Sequence, residues 1–237
     1  MRTLLTLALL ATAFSASAAP RAEKISWKDG GKDFDGYLVW DDASKAPRPG
    51  LVMVPNWYGV TDAAVAKAKV LAGKDYVILL ADVYGRGIRP KNPDEAGKAS
   101  GAALADEKAL RAHAAAALAT LKASGSKAPV DTSRIGAIGF CFGGAVALDL
   151  ARSGADLKGI ATFHGNLATT MPAKKGDLKG PVLVMNGGDD KFVSHELIDK
   201  FQDEMRGAGA DWQFVNFSGA VHCFAIPTAN KPPGCVY

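Results

Sequence analysis

Three cysteines and four histidines in 237 residues leave few sets of side chains that could assemble a metal or redox centre. Charge of one sign is also scarce. Lys plus Arg number 28 against 24 Asp plus Glu, a net charge of +4 with no block of five or six like charges, so the basic footprint of a nucleic-acid-binding protein is missing. With 48% hydrophobic and 22% charged residues the composition is that of a globular chain, which excludes disorder and collagen-like repeats. Several motifs are missing as well. The spacing G-x-G-x-x-G does not occur around Gly136 and Gly139, and there is no Walker-type loop. His195-Glu196-Leu197-Ile198-Asp199 carries Asp where a zinc-protease helix needs its second histidine. Neither a metal nor a cofactor is expected.

Long apolar runs are confined to the N-terminus. Arg2 precedes an apolar run over residues 4–14, followed by Ala16-Ser17-Ala18. Its length falls well below the roughly 20 residues of a spanning helix, so residues 1–19 read as a secretory signal peptide and the expected compartment is the bacterial periplasm or the exterior. Residues 20–237 are short enough to form one domain. An oxidising compartment favours paired thiols, and three cysteines leave one over. Cys223 and Cys235 stand twelve positions apart with Pro227, Pro232 and Pro233 between them, a spacing that a turn can close. A 223–235 disulfide with Cys141 free is therefore expected. The alternative keeps all three reduced, two of them merely packed.

The remaining sequence alternates two kinds of segment. Residues 24–28 and 35–40 read as an antiparallel pair around Asp29-Gly30-Gly31. Short runs rich in Val, Ile and Leu follow at 50–54, 76–81, 135–140, 160–163, 181–185 and 212–217, bounded by Gly, Pro or Asp, as strands buried on both faces are. Between them lie helical stretches at 61–72, 94–123, 143–152 and 194–206, with Gly97 and Gly101 expected to break the second. Asn92 before Pro93 and Ser194 are good helix caps. The order predicts a parallel sheet with helices on both sides.

Gly139-Phe140-Cys141-Phe142-Gly143 is the sharpest local signal. It stands between a strand-like run and a helical one and matches the nucleophile elbow G-x-S-x-G with sulfur in place of the hydroxyl. A strand that reverses into a helix within one tight turn needs small residues two before and two after the nucleophile, and glycine at both places permits it. The turn sets Cys141 at a helix N-terminus, where unpaired N–H groups and the dipole favour a thiolate. The N–H of Phe142 then becomes an oxyanion donor, and the loop Val54-Pro55-Asn56-Trp57-Tyr58-Gly59 offers the N–H of Trp57 as a second. A cysteine confined to a structural role is the alternative for Cys141.

The same scheme orders the remaining partners as nucleophile, acid, histidine. Asn186-Gly187-Gly188-Asp189-Asp190 follows one strand, and either aspartate could reach. Ser218-Gly219-Ala220-Val221-His222 follows the last strand; His113, His164 and His195 are its rivals. Catalytic groups of open α/β sheets collect at these carboxyl ends, which favours His222.

The chain resembles the dienelactone hydrolase family, small single-domain α/β hydrolases with a Cys, Asp, His triad. Gly139 through Gly144, Gly187-Gly188-Asp189-Asp190-Lys191-Phe192-Val193 and His222-Cys223-Phe224-Ala225 carry the resemblance, supported by Asp82-Val83-Tyr84-Gly85-Arg86. It implies an α/β-hydrolase fold, a mostly parallel sheet with helices on both faces, and it picks Asp190 as the acid. It also implies that Arg86 binds a substrate carboxylate, with Asn56 and Tyr84 as further substrate-binding candidates.

Three departures from the family pattern qualify these implications. Asn56 stands where the type enzyme has a glutamate against the resting cysteine. An amide cannot accept the thiol's proton, so Cys141 is expected to rest against His222 as an ion pair. Ile226 replaces a second carboxylate-binding arginine, which argues for a substrate other than dienelactone. The family continues into a terminal helix, whereas this sequence stops fifteen residues after His222, so part of the sheet is expected to lie uncovered. The implied activity is cleavage of a small ester or lactone through a thioacyl-enzyme. A monomer is expected, with no nucleic-acid partner and no membrane contact after removal of residues 1–19. The alternatives are a catalytically silent binding domain on the same scaffold and a thiol redox protein; the absence of C-x-x-C counts against the redox protein.

Overall fold

The computed structural model of the protein describes residues 20–231 and 234–237. The expected signal peptide over residues 1–19 lies outside them. The chain opens with the antiparallel hairpin β1 (Arg21–Asp29) and β2 (Lys32–Trp40), turned by Gly30 and Gly31 with φ of 52° and 78°, a region that glycine enters without steric cost. Then follow β3 (Arg48–Val54), α1 (Asp62–Ala72), β4 (Val77–Leu80), α2 (Pro93–Ala105), α3 (Glu107–Ala123), β5 (Val130–Phe140) and α4 (Phe142–Arg152). After them come β6 (Ile160–Phe163), β7 (Val182–Gly187), α5 (His195–Ala208), β8 (Trp212–Phe217), and the small pair β9 (Asn230–Lys231) and β10 (Cys235–Val236).

The large sheet has the order β1-β2-β4-β3-β5-β6-β7-β8. β1, β2 and β4 pair antiparallel, and every pairing from β4 through β8 is parallel. Two buried clusters flank it. On one face Val52, Val54, Leu79 and Ala137 meet Leu110, Leu121, Val146, Leu150 and Phe201 from α3, α4 and α5. On the other, Met53, Ile78, Leu80 and Ile138 meet Ala68 and Ala72 of α1. Helices therefore cover both faces, but among the described residues α1 alone serves the second. Beyond it, Leu51, Ile138, Ala161 and Leu183 border an open apolar groove of about 740 Å³. No helix follows β8 among the described residues, and none of the described helices is long and apolar enough to cross a membrane.

The expected boundaries shift most in two places. Gly97 and Gly101 lie inside α2 and do not break it; the break falls at Asp106, whose Oδ1 accepts the Ala109 N–H at 3.0 Å and caps α3. β5 starts at Val130, before the run at 135, because Arg48 and Pro49 already pair with Val130 and Asp131 ahead of a register shift at Gly50.

Candidate active site

β5 ends at Phe140 and α4 begins at Phe142, so Cys141 must turn the chain alone. It does so with φ 55° and ψ −122°, a left-handed conformation that few side chains adopt. The turn holds because its neighbours have no side chains to obstruct it. A β-carbon on Gly139 would collide with the Gly143 carbonyl oxygen, and one on Gly143 with the carbonyl oxygens of Val54 and Pro55. The Cys141 N–H donates to Phe163 O at 2.9 Å, tying the elbow to β6, and every residue of α4 is buried. Cys141 is half-buried at the carboxyl edge of the sheet.

Two segments from later in the chain converge on it. Nε2 of His222 lies 3.2 Å from Cys141 Sγ, and Nδ1 of the same ring donates to Asp190 Oδ2 at 2.7 Å. Asp190 is buried, and its Oδ1 accepts the Phe192 N–H at 2.9 Å. Burial raises its carboxyl, but the bonds from His222 and Phe192 outweigh that and hold it below the usual range. Burial likewise pulls His222 down, yet hydrogen bonds to Asp190 and Cys141, with their negative charge, push it up to about 9. Asp189 is exposed and serves through its backbone, the N–H donating to Ala220 O at 2.9 Å beside the His222 segment.

The rival histidines are placed elsewhere or differently. His113 donates from Nδ1 to Asp29 Oδ2 at 2.7 Å, and His195 is exposed at the start of α5. His164 is the one that sequence reasoning undervalued. It follows β6 with φ 41°, is fully buried, and sets its ring edge-on to His222 with centroids 4.8 Å apart. Neither of its ring nitrogens has a hydrogen-bond partner among the described residues, and burial beside His222 and Lys67 pushes it down to about 3, so it is neutral. Its place at the carboxyl end of a strand was the available signal. Phe192, exposed, covers His222 with centroids 5.0 Å apart.

The N–H groups of Phe142 and Trp57 take part in no hydrogen bond among the described residues. Asn56 does not approach the sulfur through any hydrogen bond; its Oδ1 accepts the Tyr58 N–H at 3.1 Å and its carbonyl accepts the Gly59 N–H at 2.8 Å, which shapes the loop. Two of the substrate-binding candidates have protein partners. Tyr84 is buried, stacks on Phe142 with centroids 5.1 Å apart, and spends its hydroxyl on Trp57 O at 2.9 Å. Burial, with Cys141 and Asp82 nearby, raises its phenol well above the ordinary range, so it remains a neutral donor that fixes the Trp57 loop. Arg86 is also taken: its guanidinium forks onto Asp35 at 2.8 and 2.9 Å and reaches Asp33 at 3.3 Å, because β2 pairs with β4 and brings those carboxylates beside the loop after β4.

The structure pairs Cys223 with Cys235, Cα atoms 5.0 Å apart, and leaves Cys141 free. A parallel bridge between His222 and Cys235 lies alongside, so the small β9–β10 pair is fastened to the His222 segment.

A mostly parallel sheet whose strand–helix elbow presents a sulfur to an imidazole and a buried carboxylate defines an α/β hydrolase. The model of the dienelactone hydrolase family matches residues 34–233, and the chain belongs to that family. Among solved structures, m3DLH is similar at 38% identity and TM-score 0.82, covering 92% of this chain and 90% of that one. A dienelactone hydrolase-like promiscuous phosphotriesterase, P91 from metagenomic libraries, gives 37% and 0.80, covering 89% and 86%. The Caenorhabditis elegans protein K02A2.1 is 37% identical over 112 residues, 46% of this chain and 70% of that protein.

Proposed function

We propose that the protein is an exported cysteine hydrolase that cleaves a small ester or lactone through a thioacyl-enzyme. The observation that carries this reading is the 3.2 Å approach of His222 Nε2 to Cys141 Sγ, with Asp190 fixing the far side of the ring at 2.7 Å. Cys141 passes its proton to Nε2 of His222, which Asp190 steadies from the far side. The thiolate attacks the substrate carbonyl, and the N–H groups of Phe142 and Trp57 receive the oxyanion, each worth about 2.7 to 4 kcal/mol of transition-state stabilisation. Nε2 gives its proton to the departing alkoxide as the C–O bond breaks. The neutral ring then takes a proton from water, whose oxygen attacks the thioester; the C–S bond breaks, the acid leaves and the ion pair is restored.

The site favours uncharged substrates, since Arg86 is occupied by Asp35. Similarity to the promiscuous phosphotriesterase supports neutral phosphotriesters as a second class, the sulfur forming an S–P bond while the aryloxide leaves with the His222 proton. Export rests on the pattern over residues 1–19 and agrees with a disulfide that an oxidising compartment would maintain.

The test uses p-nitrophenyl acetate, a lactone panel and paraoxon on the chain from residue 20. Cys141→Ala and His222→Ala are each expected to lower kcat at least about a thousandfold, and mass spectrometry of a slow ester should find the acyl group on Cys141. Wild-type turnover in Cys141→Ala sinks the mechanism. Recovery of the whole protein, uncleaved, from the cytoplasmic fraction sinks export.

A further inference from the structure

Lys67 stands on α1, 158 residues away from the carbonyl it binds. Its ammonium donates to Ala225 O at 2.8 Å and sits 4.1 Å from the centroid of the Phe140 ring. Phe140 is the residue before Cys141, and Ala225 is the third after His222. One side chain therefore touches both segments that must meet for sulfur and imidazole to be in contact. Phe140 in turn stacks on Phe163 at 4.9 Å, and in the His222 segment His164 sets its edge against His222 at 4.8 Å and Phe224 at 5.6 Å. Lys67 is half-buried, and burial lowers its pKa from the ordinary lysine value. A partly desolvated cation is kept only where partners compensate, and here they are one carbonyl and one aromatic face.

The segment it holds needs such support. Residues 218–229 contain no helix or strand of the large sheet, and Cys223 adopts φ 68°. We propose that Lys67 is a positioning residue that locks the His222 segment onto the elbow and so keeps Nε2 within reach of Cys141 Sγ. It touches neither substrate nor reacting atoms. Its consequence for turnover rests on the hydrolase reading, but the contact itself has a readout that needs no ester.

That readout is the alkylation rate of Cys141 by iodoacetamide, since an imidazole held at the sulfur makes it the better nucleophile. Lys67→Met keeps the apolar stem and is expected to slow alkylation about tenfold, a modest part of what about 1 Å of misplacement can cost. Lys67→Arg is expected to stay within about twofold of wild type. In a His222→Ala background Lys67→Met should change nothing, because the lysine acts only through that ring. An unchanged rate in Lys67→Met, or equal slowing with and without His222, overturns the proposal. If Lys67→Met fails to fold by circular dichroism, Lys67→Gln replaces it with the same expected and overturning results. On esters, kcat should fall in parallel with KM unchanged. Wild-type protein inert to every ester, with Lys67→Met still slowing alkylation, would defeat the hydrolase reading and leave the brace standing.

Discussion

The elbow and the His222 segment deliver the two halves of one contact by opposite means. The elbow is rigid for local reasons. A strand, a left-handed cysteine and a fully buried helix follow one another within a few residues, and the absent β-carbons of Gly139 and Gly143 let the turn close tightly on itself and on Val54 and Pro55. The His222 segment has no such frame. It is an irregular stretch held from outside, by the Ala220 carbonyl on the Asp189 N–H, by Lys67 on Ala225 O, and by the Cys223–Cys235 disulfide. The sulfur is thus placed by backbone sterics and the imidazole by long-range ties. Damage to the first should be abrupt, and damage to the second graded.

Gly143→Ala tests the abrupt case. Its β-carbon would push against Val54 O and Pro55 O, displacing the loop that carries the Trp57 N–H. Loss of one oxyanion donor costs about a hundredfold to a thousandfold in kcat, and steady-state ester kinetics should show that range with KM little altered. A fully active, stable Gly143→Ala would show that the elbow is softer than its contacts imply. Cys235→Ser tests the graded case. Opening a loop of this separation removes about 3 kcal/mol by chain-entropy arithmetic. We expect a lower urea midpoint and faster hydrogen exchange confined to the residues around His222, with protection in α4 preserved.

The paired histidines make a smaller and pH-dependent difference. His222 is pushed up to about 9, so the stability it contributes is complete below the unfolded value of about 6.5 and is lost as pH rises through about 9. His164, pushed down to about 3, acts oppositely: its contribution is present above about 6.5 and is lost as pH falls toward about 3, because the unfolded chain takes up the proton. Urea midpoints should peak near pH 6.5, with a slope from either ring of at most about 1.4 kcal/mol per pH unit. His222→Gln should flatten the alkaline side and His164→Phe the acid side; curves unchanged by both would refute the assigned shifts. The smallest effect is expected of Arg86→Ala, less than about twofold in kcat/KM for neutral esters, since an exposed pair such as Arg86–Asp35 is worth about 0 to 1 kcal/mol. A large KM rise on a carboxylate-bearing ester in that variant would return Arg86 to the substrate.

Much of this was legible before any coordinates. The run from Ile135 into Gly139-Phe140-Cys141-Phe142-Gly143 declares a strand, a turn and a helix, because each choice is forced within a few bonds. The alternation of apolar runs and helical stretches declares a parallel sheet in the same way. Three things were not legible. Asp106 ends α2 because its side chain caps the next helix, while Gly97 and Gly101 are carried by the helix around them. Arg86 pairs with Asp35, a partner 51 residues distant. Tyr84 turns its hydroxyl to Trp57 O, which depends on how two loops from adjacent strands pack.

The sequence by itself therefore determined the turn at Cys141, the order of cysteine, carboxylate and histidine, and the cysteine pair able to close a loop, since each is set by sterics or spacing over a short stretch of chain. The resemblance already favoured Asp190 over Asp189; only the tertiary structure decided that His164 lies buried and neutral against the imidazole and that Lys67 spans the two segments. Those outcomes follow from the parallel sheet bringing remote strand ends to one edge, where a distance of 3 Å depends on packing between residues far apart in the chain and is not written at either of them.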